Sequence, residues 1–214
     1  MKRILCFGDS NTWGYDAVKK FRYPADVRWT GVLSAALGAE YQLIEEGLNA
    51  RTTVWDDPFE PGKNGKTMIT PVLATHCPLD LVIIMLGTND LKTRFGVSAF
   101  DIALGAGTLV ELALNSKSGD HWGTPKVLLV SPIHIGENIR TSEFADLFDL
   151  DHVISVSKQL AGFYRHIAEA NGCAFLDAAA VASPGAYDSL HLEEDGHRLL
   201  GLAIAEHVIK ILDS

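Results

Sequence analysis

Five short runs of nearly continuous apolar residues limit what this chain can fold into more than any other feature. They are RILCF (3–7), YQLIEE (41–46), LVIIML (81–86), KVLLVS (126–131) and CAFLDA (173–178). A strand with one wet face alternates apolar and polar side chains, whereas a run without alternation must be covered on both faces, as in a parallel sheet between helices. The intervening segments carry helical spacing at 29–37, 97–114, 152–170 and 192–212. Strand and helix in repeated alternation predict a three-layer α/β domain with a central parallel sheet and right-handed crossovers. A chain of 214 residues suits one domain, 1–214, large enough to bury roughly 70% of its unfolded surface.

Charge narrows the partners. The formal net charge is −9 and the 18 basic residues are scattered, which argues against binding a phosphate backbone and so against nucleic acid. No apolar stretch approaches the ~18 residues that cross a bilayer, so no membrane partner is expected. The start, MKRILCFGDS, has four apolar residues before Gly8, too few for a signal-peptide core. Three cysteines, Cys6, Cys77 and Cys173, leave an odd count and predict a reducing compartment without disulfides, hence a cytoplasmic location.

Polar residues stand behind the strand ends: Gly8-Asp9-Ser10-Asn11 after the first run, Gly47-Leu48-Asn49 after the second and Gly87-Thr88-Asn89-Asp90 after the third. Open α/β sheets bind ligands at such carboxyl ends. Two stretches without regular pattern, 52–67 and 132–149, carry Trp55, Phe59, Ile133, Ile139 and Phe144, and are expected to reach over this edge or pack on a partner subunit. Near the C-terminus, YDSLHLEEDGH supplies Asp188 and His191. A carboxylate three residues before an imidazole can meet Nδ1 and leave Nε2 free, the base-and-orienter half of a hydrolytic triad whose nucleophile would be Ser10.

Each residue also has a plainer reading. Ser10 and its neighbours are good helix caps, Asn89 and Asp90 suit the helix after the third strand, and Asp188 and His191 could be solvated helix-entry residues. GDSNTWG could cradle a phosphate at a helix N-terminus, making the chain a non-catalytic flavodoxin-like phosphate- or nucleotide-binding module. That reading lacks a Walker lysine and leaves Asp188 and His191 without a task. His191, Asp195 and His197 form no recognised metal motif, so no metal and no cofactor are expected. Arg51 is expected to pair with Asp56 or Asp57.

Ser10 in GDSN, Gly47 in EGLN, Asn89 in GTND and His191 in DSLH match in order the four blocks of the SGNH hydrolases, the GDSL family of esterases and lipases, which the chain resembles from residue 8 to 191. Asn11 departs from the leucine of the family name. The resemblance implies a flavodoxin-like α/β/α sandwich, a triad of Ser10, Asp188 and His191, and an oxyanion hole of the Ser10 and Gly47 N–H groups with the Asn89 side chain. GDSNTWGYD, GLNARTTVWDDP and GTNDLKTRF look closer still to bacterial arylesterases, whose relatives include acyltransferases and sugar deacetylases. That likeness implies a short acyl group, acetyl above all, on a small aryl, alkyl or sugar ester. It also implies a homo-oligomer, octamers being frequent, whose pocket is walled off by Trp13, Trp55 and the 132–149 segment; Trp13, Trp55 and, from its place in that loop, His134 are the candidate substrate-binding residues.

Overall fold

Within each parallel strand successive side chains point to opposite faces, and this alternation divides the core in two. The computed structural model describes residues 1–213. In chain order the elements are β1 (Lys2–Gly8), α1 (Ser10–Trp13), β2 (Tyr15–Asp16), β3 (Phe21–Arg22), α2 (Trp29–Leu37), β4 (Tyr41–Gly47), α3 (Gly65–His76) and β5 (Leu81–Met85). There follow α4 (Ala99–Leu114), β6 (Lys126–Ser131), α5 (Val153–Ser157), α6 (Leu160–Asn171), β7 (Ala174–Asp177) and α7 (Glu194–Asp213). Five strands form one parallel sheet in the order β4-β1-β5-β6-β7, and β2 and β3 make a small antiparallel pair. This is the flavodoxin-like α/β three-layer sandwich that the apolar runs and the family resemblance predict.

Ile4, Cys6, Ile83 and Val130 pack toward α2 and α7, against Trp29, Leu33 and Leu200. Leu5, Phe7, Val82 and Ile84 face α3, α4 and α6, against Ile69, Ile102 and Tyr164. Full burial of each such side chain contributes roughly 1.5–3 kcal/mol, so both layers of helices are held mainly by the strands between them. From β1 the chain moves outward to β4 and then back across β1 to β5. The crevice between the carboxyl ends of β1 and β5 is therefore the switch point of the sheet. Ser10 and Asn89 follow these two strands.

Some local expectations need correction. The helix expected over 152–170 is interrupted at Lys158 and Gln159, where Ser157 turns its hydroxyl onto Ile154 O and accepts the Ile135 N–H. Residues 65–76 form α3 despite Pro71, because Asn64 caps it by accepting the Lys66 N–H at 2.9 Å. Of the apolar residues in the two irregular stretches, Ile133 and Ile139 are buried and Phe144 packs edge-on to Tyr15, while Phe59 stays 75% exposed beneath the Arg94 guanidinium. No cysteine is in a disulfide, and no helix among the described residues is long and apolar enough to cross a membrane.

His197 joins α7 to α2. It is fully buried, and its Nδ1 accepts the Trp29 N–H at 3.3 Å, where Arg28 supplies no side-chain cap. Burial first, then the charges of Arg28 and His191, hold its pKa down from the ordinary 6.5 to about 4. The unfolded chain thus takes up this proton at higher pH than the folded one, so stability present above pH 6.5 is lost as pH falls toward 4, by about 3 kcal/mol in the limit. His197→Gln is expected to lower Tm at pH 7.5, and its deficit relative to the wild type should shrink steadily down to pH 4. A constant deficit across that range would contradict the assignment.

Candidate active site

The site is assembled from two ends of the chain. At the end of β1, Asp9 caps α1 by accepting the Asn11 N–H at 3.0 Å, and this sets Ser10 as the first residue of the helix. The partner side comes from the turn before α7. There Ser189 takes a left-handed conformation (φ 56°), and the N–H groups of Leu190 and His191 both donate to Asp188 Oδ1 at 2.9 Å. Asp188 Oδ2 lies 2.6 Å from His191 Nδ1, and His191 Nε2 lies 3.0 Å from Ser10 Oγ. With the ring proton on Nδ1 facing Asp188, Nε2 accepts the Ser10 hydroxyl.

Burial would raise the Asp188 carboxyl, but the His191 hydrogen bond and charge and the two backbone N–H groups outweigh it and hold the pKa below the ordinary carboxylate value. Asp188 therefore stays an acceptor at neutral pH. Tyr15 and Phe144 flank the imidazole, with ring centroids 4.7 and 5.4 Å from His191. Such a relay can take a proton from the serine hydroxyl and keep the resulting imidazolium in place.

A cavity of about 210 Å³ opens over Ser10. Phe144, Leu147, Phe148 and Leu190 give it an apolar wall, and Asn49, Ala50, Asn89, Glu60 and Lys92 line the rest. Asn89 is buried and donates one amide hydrogen to Arg51 O at 3.1 Å, which leaves the second for a ligand. The N–H groups of Ser10 and Ala50 have no acceptor among the described residues. Ala50 sits at φ 66°, a left-handed conformation unusual for a residue with a Cβ and one that marks functional turns.

Ser10, Asp188, His191 and Asn89 are thus brought together as the sequence suggested, but Gly47 is not at the cavity. The α1 backbone rests on it: a Cβ there would meet Trp13 N at 2.2 Å and the Thr12 carbonyl carbon at 2.6 Å. Gly47 is required for close approach, and Ala50, three residues on, occupies the place on the wall. Trp13, Trp55 and His134 do not line the cavity either. The Trp13 ring lies under the Arg22 guanidinium at 5.2 Å, Trp55 accepts the Thr52 hydroxyl through its backbone carbonyl, and His134 is half-buried between Ile133 and Ile135. Tyr15, Lys92, Glu60 and Ala50 carried no sequence signal that set them apart.

Arg51 does not pair with Asp56 or Asp57. Its Nη1 donates to Gly8 O at 2.9 Å and to Glu46 O, closing the ends of β1 and β4, and its guanidinium stacks 4.0 Å from the Phe7 ring. Asp57 pairs with Arg94 and Asp56 accepts from Asn64. A phosphate cradle at α1 is disfavoured, since that helix has four residues and the Asp9 carboxylate occupies its N-cap. Among the described residues no group of three or more His, Cys, Asp or Glu could hold a metal ion.

Known proteins share this sequence pattern and fold. The GDSL-like lipase/acylhydrolase family profile matches residues 6–199. The inhibitor-bound aryl esterase of M. smegmatis is 44% identical and superposes with a TM-score of 0.94 over 99% of this chain and 100% of its own. Est24, a carbohydrate acetylesterase from Sinorhizobium meliloti, is 40% identical with a TM-score of 0.92, over 99% of this chain and 100% of its own. Among curated proteins, none matches the sequence. With the family profile covering nearly all of it and two esterase structures following its whole backbone, this chain belongs to the GDSL-like lipase/acylhydrolase family of hydrolases.

Proposed function

We propose that the chain is a serine esterase that releases short acyl groups, acetyl first, from small aryl, alkyl or sugar esters through an acyl-serine intermediate, with an alcohol as an alternative acceptor to water. The observation that carries this reading is the unbroken relay Asp188–His191–Ser10 at the floor of the cavity. Ser10 Oγ attacks the ester carbonyl carbon as its proton passes to His191 Nε2. The negative charge that develops on the carbonyl oxygen is met by the Ser10 and Ala50 N–H groups and the free amide hydrogen of Asn89. The carbon–oxygen bond to the alcohol then breaks, and the alcohol leaves with the proton from His191. Water, or a second alcohol, repeats the attack on the acyl-serine with His191 again as base.

Support for a short acyl chain comes from the cavity, whose 210 Å³ is bounded by Phe144 and Phe148. The name of one similar structure, a carbohydrate acetylesterase, points to the same size class.

A fluorophosphonate probe should label Ser10 stoichiometrically and Ser10→Ala should lose both label and turnover, with kcat/KM falling from acetyl to dodecanoyl esters. A folded protein that takes no label, or rates that rise with chain length, would overturn the reading. Asp188→Asn is expected to preserve the fold and lower kcat by up to ~10⁴, since the wrong imidazole tautomer is favoured. Asn89→Ala should cost ~10²–10³ in kcat with KM little changed. If Asn89→Ala instead lowered Tm and left turnover intact, Asn89 would be a structural cap.

A further inference from the structure

The proposed relay leaves part of the cavity wall unused. Lys92 lies in that wall with 4% of its side chain exposed, and its ammonium makes no hydrogen bond among the described residues. Its ion-pair partner is Glu60, with Oε1 at 3.8 Å and a side chain 43% exposed. Other nearby charges are engaged elsewhere: Arg94 pairs with Asp57 at 3.2 Å, and Asp9 caps α1. Burial pushes the Lys92 ammonium below its ordinary pKa against the pull of Glu60. Asn49, in the same wall, has a buried Oδ1 that meets no donor among the described residues.

Beyond the relay and the donors that face the carbonyl oxygen, this part of the wall thus holds one unfilled donor group and two acceptors. The Asn49 oxygen and the Lys92 ammonium are shut off from water without a hydrogen-bond partner among the described residues, so a ligand able to satisfy them is selected over one that cannot. An alkyl group satisfies none of them. A carboxylate offers only acceptors, would compete with Glu60 and meets the net charge of −9. A hydroxyl both donates and accepts, without charge.

We propose that Lys92, Glu60 and Asn49 form a polyol subsite, in which the ammonium donates to a hydroxyl oxygen of the substrate's alcohol part while Glu60 and Asn49 accept hydroxyl protons. The subsite makes acetyl esters of polyhydroxy alcohols better substrates than alkyl esters of the same skeleton. This inference rests on the esterase reading of Ser10. Lys92 is the specificity-determining residue, because its charge-assisted donation comes from a buried side chain, whereas the Glu60 carboxylate is 43% exposed.

The test compares glyceryl monoacetate with propyl acetate, which share one carbon skeleton. In the wild type the ratio of their kcat/KM values should favour the glyceryl ester. Lys92→Met should lower that ratio by about 10- to 100-fold, as expected for loss of a hydrogen bond from a charged group. An unchanged ratio, or equal losses on both esters, overturns the subsite. A second arm does not depend on altering Lys92: Glu60→Gln leaves the ammonium uncompensated, so the ratio of acetoxyacetate to ethyl acetate should rise about tenfold and fall again with salt. No rise would put the ammonium out of reach of substrate and also overturn the proposal. Fluorophosphonate labelling and propyl acetate turnover by the wild type report on the esterase reading separately. If both are lost that reading fails, and if both are intact a flat ratio removes the polyol subsite alone.

Discussion

Asn11 joins residues that lie almost 180 positions apart in sequence. Its Nδ2 donates to Leu190 O at 3.3 Å and its Oδ1 accepts the Leu192 N–H at 2.8 Å, on either side of His191. The side chain is buried, so both bonds form where water does not compete for them. Ser10 is the preceding residue, and the distance from its hydroxyl to His191 is therefore set by one amide bracketing one imidazole. The leucine of the family name could pack here but could not make these bonds. Behind Asn11, the backbone of α1 rests on Gly47, and Arg51 ties the ends of β1 and β4 together. The proposed nucleophile is rigid because the sheet beneath it is.

Three buried carboxylates surround this junction and titrate differently. Asp188 has an imidazole and two N–H donors, enough to keep it ionised despite burial. For Asp9, burial outweighs one N–H bond and the charges of His191, Arg51 and Lys92, and its pKa rises to about 6. Asp90 is likewise pushed up to about 6 by burial, although the Thr53 hydroxyl and N–H donate to it. As pH climbs from 3.8 toward 6 the unfolded chain loses these two protons before the folded one, so ionising Asp9 and Asp90 reduces stability, and the reduction is complete above pH 6. Perturbed acids of this kind cluster at functional sites, and Asp9 and Asp90 each adjoin a residue of the cavity, Ser10 and Asn89.

Much of the fold was legible because the signal is one-dimensional. LVIIML has no polar position, and it became the central strand with every residue of β5 buried. The helix over 29–37 was readable from spacing alone, and Asp188 three residues before His191 was readable as a pair. The interruption after Ser157 was not, because it depends on the Ile135 N–H arriving from a distant loop. The same holds for the aromatic residues of 132–149: their spacing showed that they needed cover, while Phe144 found it on Tyr15 and His191.

The sequence by itself determined the layered fold, the order of the strands' chemistry and the choice of candidate serine, histidine, aspartate and asparagine, since apolar periodicity and residue type act locally. Only the tertiary structure decided which backbone group joins them. Glycine at 47 advertises close approach, but what approaches it is α1, while the wall of the cavity falls to Ala50, whose left-handed conformation no residue name reveals. It also decided that Arg51 serves two carbonyls and a phenyl ring instead of an acid, and that Lys92 and Glu60 meet in the cavity wall. Such contacts depend on where separate strand ends arrive in space, and a chain read residue by residue holds no record of that.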